Sequence, residues 1–203
     1  GFSYEGGAWA PGWELHVAEF DGNNRADLFL YSRTSGQWYK ALNTTSGFAY
    51  STDVWAPYWN ITILDLNADG RSDLFLYNPS SGFWYRAVST ATGFSYTSGA
   101  WAPEWKISKA DWDSNRRGDL FLYNPKSGYW YKAYNDGTTF SYVFGQWASW
   151  QTYVTDLNGD GNSDVFLYSP QTGMWYQALT SATGGFSYMS GSWATGLDII
   201  ATR

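Results

Sequence analysis

The sequence predicts an all-β fold assembled from a repeated unit of four short antiparallel strands. Three observations carry that prediction. First, the chain repeats every 46 residues: Trp9, Trp55, Trp101, Trp147 and Trp193 keep this spacing, and so do Phe2, Phe48, Phe94, Phe140 and Phe186. A Tyr follows two residues after each of these Phe, from Tyr4 to Tyr188. Second, every period alternates runs of β-branched and aromatic residues with Gly, Pro and Asn turns. Third, no segment sustains the 3.6-residue apolar period of a helix. A period of this length marks an array of one supersecondary unit.

One unit runs from Trp59 to Trp101. Trp59 to Leu66 (W-N-I-T-I-L-D-L) reads as strand a, and a tight polar loop spans Asp65 to Asp73. Asp73 to Tyr77 (D-L-F-L-Y) is strand b, and Asn78 to Gly82 is a turn. Phe83 to Ser89 is strand c, Thr90 to Gly93 turns again, and Phe94 to Trp101 is strand d. Strand b is apolar on both alternate faces, which suits a sheet packed on both sides. Four such strands per repeat are the signature of a β-propeller blade. A Trp-rich β-sandwich is the alternative, and strict repetition favours the blade.

The chain therefore reads as one β-propeller domain over 1–203, with repeats near 10–55, 56–101, 102–147 and 148–193. An extra d strand (Phe2 to Trp9) and an extra a strand (Leu197 to Thr202) are expected at the ends. Two arrangements accommodate them. The ring closes with its termini doubled up or exchanged between chains in an oligomer, or the chain is part of a longer repeat protein. In the fourth repeat W-A-S-W (Trp147 to Trp150) is one residue shorter than W-A-P-E-W (Trp101 to Trp105), and Gly184-Gly185 restores the register. Both changes fall in loops.

Composition narrows the function. Aromatic residues make up 21% of the chain, with 14 Trp and 17 Tyr, so ring packing carries much of the core. A net charge of −6 argues against nucleic-acid backbone binding. No apolar run is long enough to span a membrane as a helix. With no Cys and one His, little nucleophile or base chemistry is left, and no catalytic residue is assigned. The start at Gly1, without Met or a signal-like segment, reads as a processed form or an excised piece. A secreted or extracellular location is the expectation.

The a–b loops carry the chemistry. Loop two is D-L-N-A-D-G-R-S-D (Asp65, Asn67, Asp69, Gly70, Asp73), and loop four is D-L-N-G-D-G-N-S-D (Asp156, Asn158, Asp160, Gly161, Asp164). Oxygen side chains recur at alternate positions, then a Gly permits a sharp turn, then a carboxylate closes the loop. This pattern suits Ca²⁺, with Arg71 or Asn162 offering a backbone carbonyl at the seventh position. Loop one (Glu19, Asp21, Asn23, Asp27) has Asn24 in place of the Gly, and loop three (Asp111, Asp113, Asn115, Asp119) has Arg116 there. Loops two and four rank first as metal sites, loop one next and loop three last. Plain Asx-turns are the alternative for all four.

The D-x-N-x-D-G-x-x-D loop followed by D-L-F-L-Y resembles the FG-GAP/VCBS repeat of calcium-binding β-propellers, and the resemblance covers nearly the whole chain. With its W-A-P-x-W and G-x-W-Y segments, the chain is similar to bacterial and fungal propeller lectins. The resemblance implies a multivalent, non-enzymatic carbohydrate-binding protein with shallow monosaccharide sites between blades. A calcium-stabilised scaffold or protein-interaction domain, or an accessory module of a secreted enzyme, is the alternative.

A sugar presents a C–H face to an aromatic ring and hydroxyls to polar groups. The d–a loops cross between blades and carry Trp9/Trp13, Trp55/Trp59, Trp101/Trp105 and Trp147/Trp150, so one member of each pair is the expected platform. Strand c adds Trp38/Tyr39, Trp84/Tyr85, Trp130/Tyr131 and Trp175/Tyr176. Its Trp residues read as packing between blades. A basic or amide residue follows each pair: Lys40, Arg86, Lys132 and Gln177.

Overall fold

A computed structural model describes residues 6–199. They form sixteen strands in four antiparallel sheets and no helix. Blade one holds β1 (Glu14–Ala18), β2 (Asp27–Tyr31), β3 (Gln37–Thr44) and β4 (Gly47–Val54). Blade two holds β5 (Asn60–Leu64), β6 (Asp73–Tyr77), β7 (Phe83–Ser89) and β8 (Phe94–Ala100). Blade three holds β9 (Lys106–Ala110), β10 (Asp119–Tyr123), β11 (Tyr129–Asn135) and β12 (Phe140–Gln146). Blade four holds β13 (Gln151–Thr155), β14 (Asp164–Tyr168), β15 (Met174–Thr180) and β16 (Phe186–Ser192). Every sheet is a simple meander in chain order, as the four-strand reading predicts.

The expected terminal strands are not seen in the described part of the chain. Gly6 to Trp9 and Leu197 to Ile199 carry no strand, and positions 2–5 and 200–203 lie outside the described residues.

Successive side chains on a strand point to opposite faces, and the repeated b strand uses both. In D-L-F-L-Y the two Leu face the preceding blade, whereas Phe and Tyr face the following one. Thus Phe29 and Tyr31 of blade one pack with Leu74, Leu76 and Ala87 of blade two. Phe75 and Tyr77 pack with Leu120, Leu122 and Ala133 of blade three, and Phe121 and Tyr123 with Val165, Leu167 and Ala178 of blade four. The core is therefore three interfaces between consecutive blades. No sheet closes on itself, and no core cluster among the described residues joins blade four to blade one.

The c-strand Trp residues belong to these interfaces, as the sequence suggests. Ring centroids lie 5.4 Å apart for Trp38–Phe94, 5.9 Å for Trp84–Phe140 and 5.0 Å for Trp130–Phe186, each pair joining one blade to the next. Such pairs add about 0.5–1.5 kcal/mol each beyond area burial.

The basic residue two places on shares that face, so it does not reach a sugar site as the sequence reading allowed. Lys40 donates to Ser89 Oγ and the Thr90 carbonyl, both at 2.7 Å. Arg86 donates to Asn135 Oδ1 at 3.1 Å and the Gly137 carbonyl at 3.0 Å. Lys132 donates to Thr180 Oγ1 at 2.9 Å and lies 3.9 Å from the Phe186 ring centroid. These buried cations staple each blade to the c–d turn of the next. Burial lowers the pKa of all three, that of Lys132 to about 8.

Candidate functional site

Each d–a loop that follows a blade is held by one buried tyrosine, the last residue of that blade's b strand. The Tyr77 hydroxyl donates to the Ala102 carbonyl at 2.8 Å and accepts from the Trp105 N–H at 3.2 Å. Tyr123 does the same with Ala148 at 3.0 Å and Trp150 at 2.8 Å, and Tyr31 binds Ala56 at 3.4 Å and Trp59 at 3.1 Å. The residue before the second Trp turns through left-handed backbone, with φ of 69° at Tyr58 and 70° at Glu104. A glycine on the b–c turn lets the loop approach. A Cβ on Gly82 would stand 2.0 Å from the Trp101 carbonyl oxygen, and one on Gly128 would stand 1.8 Å from that of Trp147.

This geometry separates the two Trp of each pair. The sequence reading expected one member of each pair as a platform without telling them apart. Trp59 and Trp105 are 7% and 9% exposed and sit in the blade interfaces. Their N–H bonds to the buried tyrosine pull them inward. The first Trp of each pair is less buried: Trp55, Trp101 and Trp147 edge the interface clusters, and Trp9 is 47% exposed.

Between the two lies an apolar cleft. From blade one to blade two it measures about 270 Å³ and is lined by Trp55, Ala56, Trp59, Leu76, Tyr85 and Tyr96, with Asp53 added. From blade two to blade three it measures about 230 Å³ and is lined by Trp101, Ala102, Trp105, Leu122, Tyr131 and Tyr142. The first Trp donates its indole N–H to a d-strand tyrosine hydroxyl: Trp55 to Tyr96 at 3.0 Å, Trp101 to Tyr142 at 2.9 Å and Trp147 to Tyr188 at 2.9 Å. Trp9 reaches Tyr50 at 3.4 Å in the same way.

The second Trp meets a c-strand tyrosine edge-on. Centroids are 5.3 Å apart for Trp13–Tyr39, 5.4 Å for Trp59–Tyr85, 5.3 Å for Trp105–Tyr131 and 5.2 Å for Trp150–Tyr176. All four Trp pairs therefore make the same two tyrosine contacts. Sequence reasoning assigned the Trp pairs and left out the d-strand tyrosines Tyr50, Tyr96, Tyr142 and Tyr188. Their signal was the F-x-Y repeat, which keeps the same 46-residue register as the Trp.

The a–b loops are ladders of Asx-type turns. In loop two, Asp65 accepts from the backbone N–H groups of Asn67, Ala68 and Gly70, while Asn67 accepts from Asp69 and Asp69 from Arg71. Loop four repeats this with Asp156, Asn158, Asp160 and Asn162. The closing aspartates are fully buried. Asp27, Asp73, Asp119 and Asp164 each accept one N–H from their own loop and one from strand c.

Two loops also gather three carboxylates, with ligand oxygens all within 4.8 Å of one another: Glu19, Asp21 and Asp27 in loop one, and Asp111, Asp113 and Asp119 in loop three. These could hold a metal ion. The sequence ranking placed loops two and four ahead of them. In those loops the glycine N–H takes the second oxygen of the first aspartate, Gly70 to Asp65 at 2.8 Å and Gly161 to Asp156 at 3.0 Å. Asn24 and Arg116 replace that glycine in loops one and three, yet adopt the same left-handed backbone, φ 61° and 69°.

Burial is the main cause that raises the Asp73 carboxyl to about 6 and the Asp119 carboxyl to about 7, and neighbouring carboxylates add to it. Each loop also touches the following blade. The Glu19, Asp65 and Asp111 carbonyls accept from the backbone N–H of Ser72, Gly118 and Ser163. Compared with known proteins, the chain matches no family model and no curated protein sequence.

Proposed function

We propose that this is a non-enzymatic, multivalent carbohydrate-binding protein, a β-propeller of secreted or extracellular type in which each blade junction offers one shallow monosaccharide site. The observation that carries the reading is the cleft of two Trp and two Tyr, set by the same hydrogen bonds at successive junctions. Its aromatic walls suit the C–H face of a sugar, and its open rim leaves the hydroxyls in water. A single stacked ring contributes on the order of 1 kcal/mol beyond area burial, so each site is weak and avidity supplies the strength.

Calcium in the a–b loops is the second part of the proposal. The donors are hard oxygens, as Ca²⁺ requires. The loops bond to the next blade, so a bound ion ties blades together rather than touching sugar directly.

A glycan array with and without EDTA tests the reading. Sugar-selective binding is expected, and Tyr142→Ala should remove about one site per chain while the fold persists, because this ring is 43% exposed and belongs to no buried core cluster. An array without any glycan signal in Ca²⁺-loaded protein would overturn it.

A further inference from the structure

The clefts between blades one and two and between blades two and three have the same lining except at one position. Two residues before the first Trp of each d–a loop stand Gly7, Gly99, Gly145 and Gly191, but Asp53 in the second register. The glycine has a steric reason. A Cβ on Gly99, Gly145 or Gly191 would come within 2.3, 2.5 and 2.3 Å of the cross-strand rings of Trp84, Trp130 and Trp175. Blade one pairs Trp38 with Asp53 in the same register and still buries Trp38. It therefore carries a side chain where the other blades exclude one.

That side chain faces the cleft between blades one and two. The cleft shares its six aromatic and aliphatic residues, position for position, with the cleft between blades two and three, and differs by the added Asp53. No Lys or Arg lines it. Asp53 Oδ1 accepts the Val54 N–H at 2.8 Å. Burial raises the Tyr96 phenol pKa, and the Asp53 charge adds to it, so the carboxylate acts on the cleft wall. Four aromatic rings surround the space, with Trp59–Tyr85 at 83° and Trp55–Tyr96 at 87° between planes.

We propose that the cleft between blades one and two selects a ligand carrying a protonated amine on a sugar-sized ring, a hexosamine, whereas the other clefts take neutral sugars. The proposal rests on the reading of the clefts as sugar sites. Its physical basis is that aromatic faces attract a cation while a carboxylate neutralises it, and that Asp53 supplies this charge at one junction only.

Three probes separate the possibilities: glucosamine, glucose and cyclohexylammonium, titrated at pH about 6 with the amine protonated. The indole N–H resonances of Trp55 and Trp101 report the two clefts. Glucosamine is expected to shift Trp55 at about one tenth of the concentration that shifts Trp101, with glucose showing no such preference. Asp53→Asn and Asp53→Gly should abolish the preference, and the Gly variant restores the residue of the other blades. If glucosamine shows no preference for Trp55, or keeps it in Asp53→Asn, the proposal is overturned while sugar binding stands. If no sugar shifts any indole but cyclohexylammonium shifts Trp55 in an Asp53-dependent way, the amine site stands and the sugar reading falls. If no probe shifts either indole, both fall.

Discussion

Tryptophan serves two different purposes within one five-residue loop. Trp55 and Trp101 keep the rim of their clefts and give their indole N–H to a tyrosine hydroxyl. Trp59 and Trp105 lie four residues further on and fill the blade interface, because a buried tyrosine oxygen captures their backbone N–H. Truncating the second kind therefore opens a cavity. Trp59→Ala should cost about 3–5 kcal/mol of stability, the range for a large buried ring. Trp9→Ala, at a ring 47% exposed, should cost far less. Denaturant titration of the two variants checks this. Equal midpoints would mean that Trp59 is a surface platform after all.

At the scale of the strand and its loop, the closing aspartate joins three parts of a blade. Asp119 accepts the Trp112 N–H from its own loop at 2.8 Å and the Asn135 N–H from strand β11 at 2.7 Å. Its folded pKa, about 7, lies above the ordinary value of 3.8. A raised carboxyl pKa contributes stability that is full below about pH 4 and is lost as pH rises through about 7. In EDTA, the melting temperature of the wild type should therefore fall from pH 5 to pH 7 relative to Asp119→Asn. With Ca²⁺ present the cation neutralises the buried charge, and that difference should shrink. A pH series of melting curves on the two proteins, with and without Ca²⁺, reads the effect. Parallel curves in EDTA would refute it.

Across the whole molecule, stability resides between blades rather than inside them. Leu residues on one blade face Phe and Tyr on the preceding one, buried cations cross the same boundary, and each of the first three a–b loops bonds to the a–b loop of the next blade. A bound ion in these loops would stiffen the contacts between blades. Calcium should raise stability by about 2.7 kcal/mol at a hundredfold excess over its Kd, if it binds the native state alone. Calorimetry across a Ca²⁺ titration measures this. A midpoint that does not move, in protein first stripped of metal, would remove calcium from the account. A magnesium control separates a specific ion from general screening.

Much of this molecule was legible in the chain. The 46-residue register, the D-L-F-L-Y strand and the Gly and Pro turns determined the four strands of each blade, though not the absence of strand at Gly6 to Trp9 and Leu197 to Ile199, because local periodicity and turn chemistry act within one blade. The role of the c-strand Trp as packing was legible too, since a ring repeated in every blade has to meet its neighbour. Other features depend on contacts between blades, which no local pattern encodes. Lys40, Arg86 and Lys132 follow the Trp/Tyr pair in sequence, yet strand alternation puts them on the face of the Trp, where they bond to the c–d turn of the next blade away from the aromatic cleft. Trp59 and Trp55 look alike in sequence, and only the hydroxyl of Tyr31, reaching in from the preceding blade, buries the first of them. Loops two and four match the metal pattern best, yet three carboxylates gather in loops one and three, which carry Asp21 and Asp113 where the others carry Asn67 and Asn158. Sequence determines what each blade is made of. Tertiary packing decides which side chains are left facing the space between blades, because that space exists only once two blades have met.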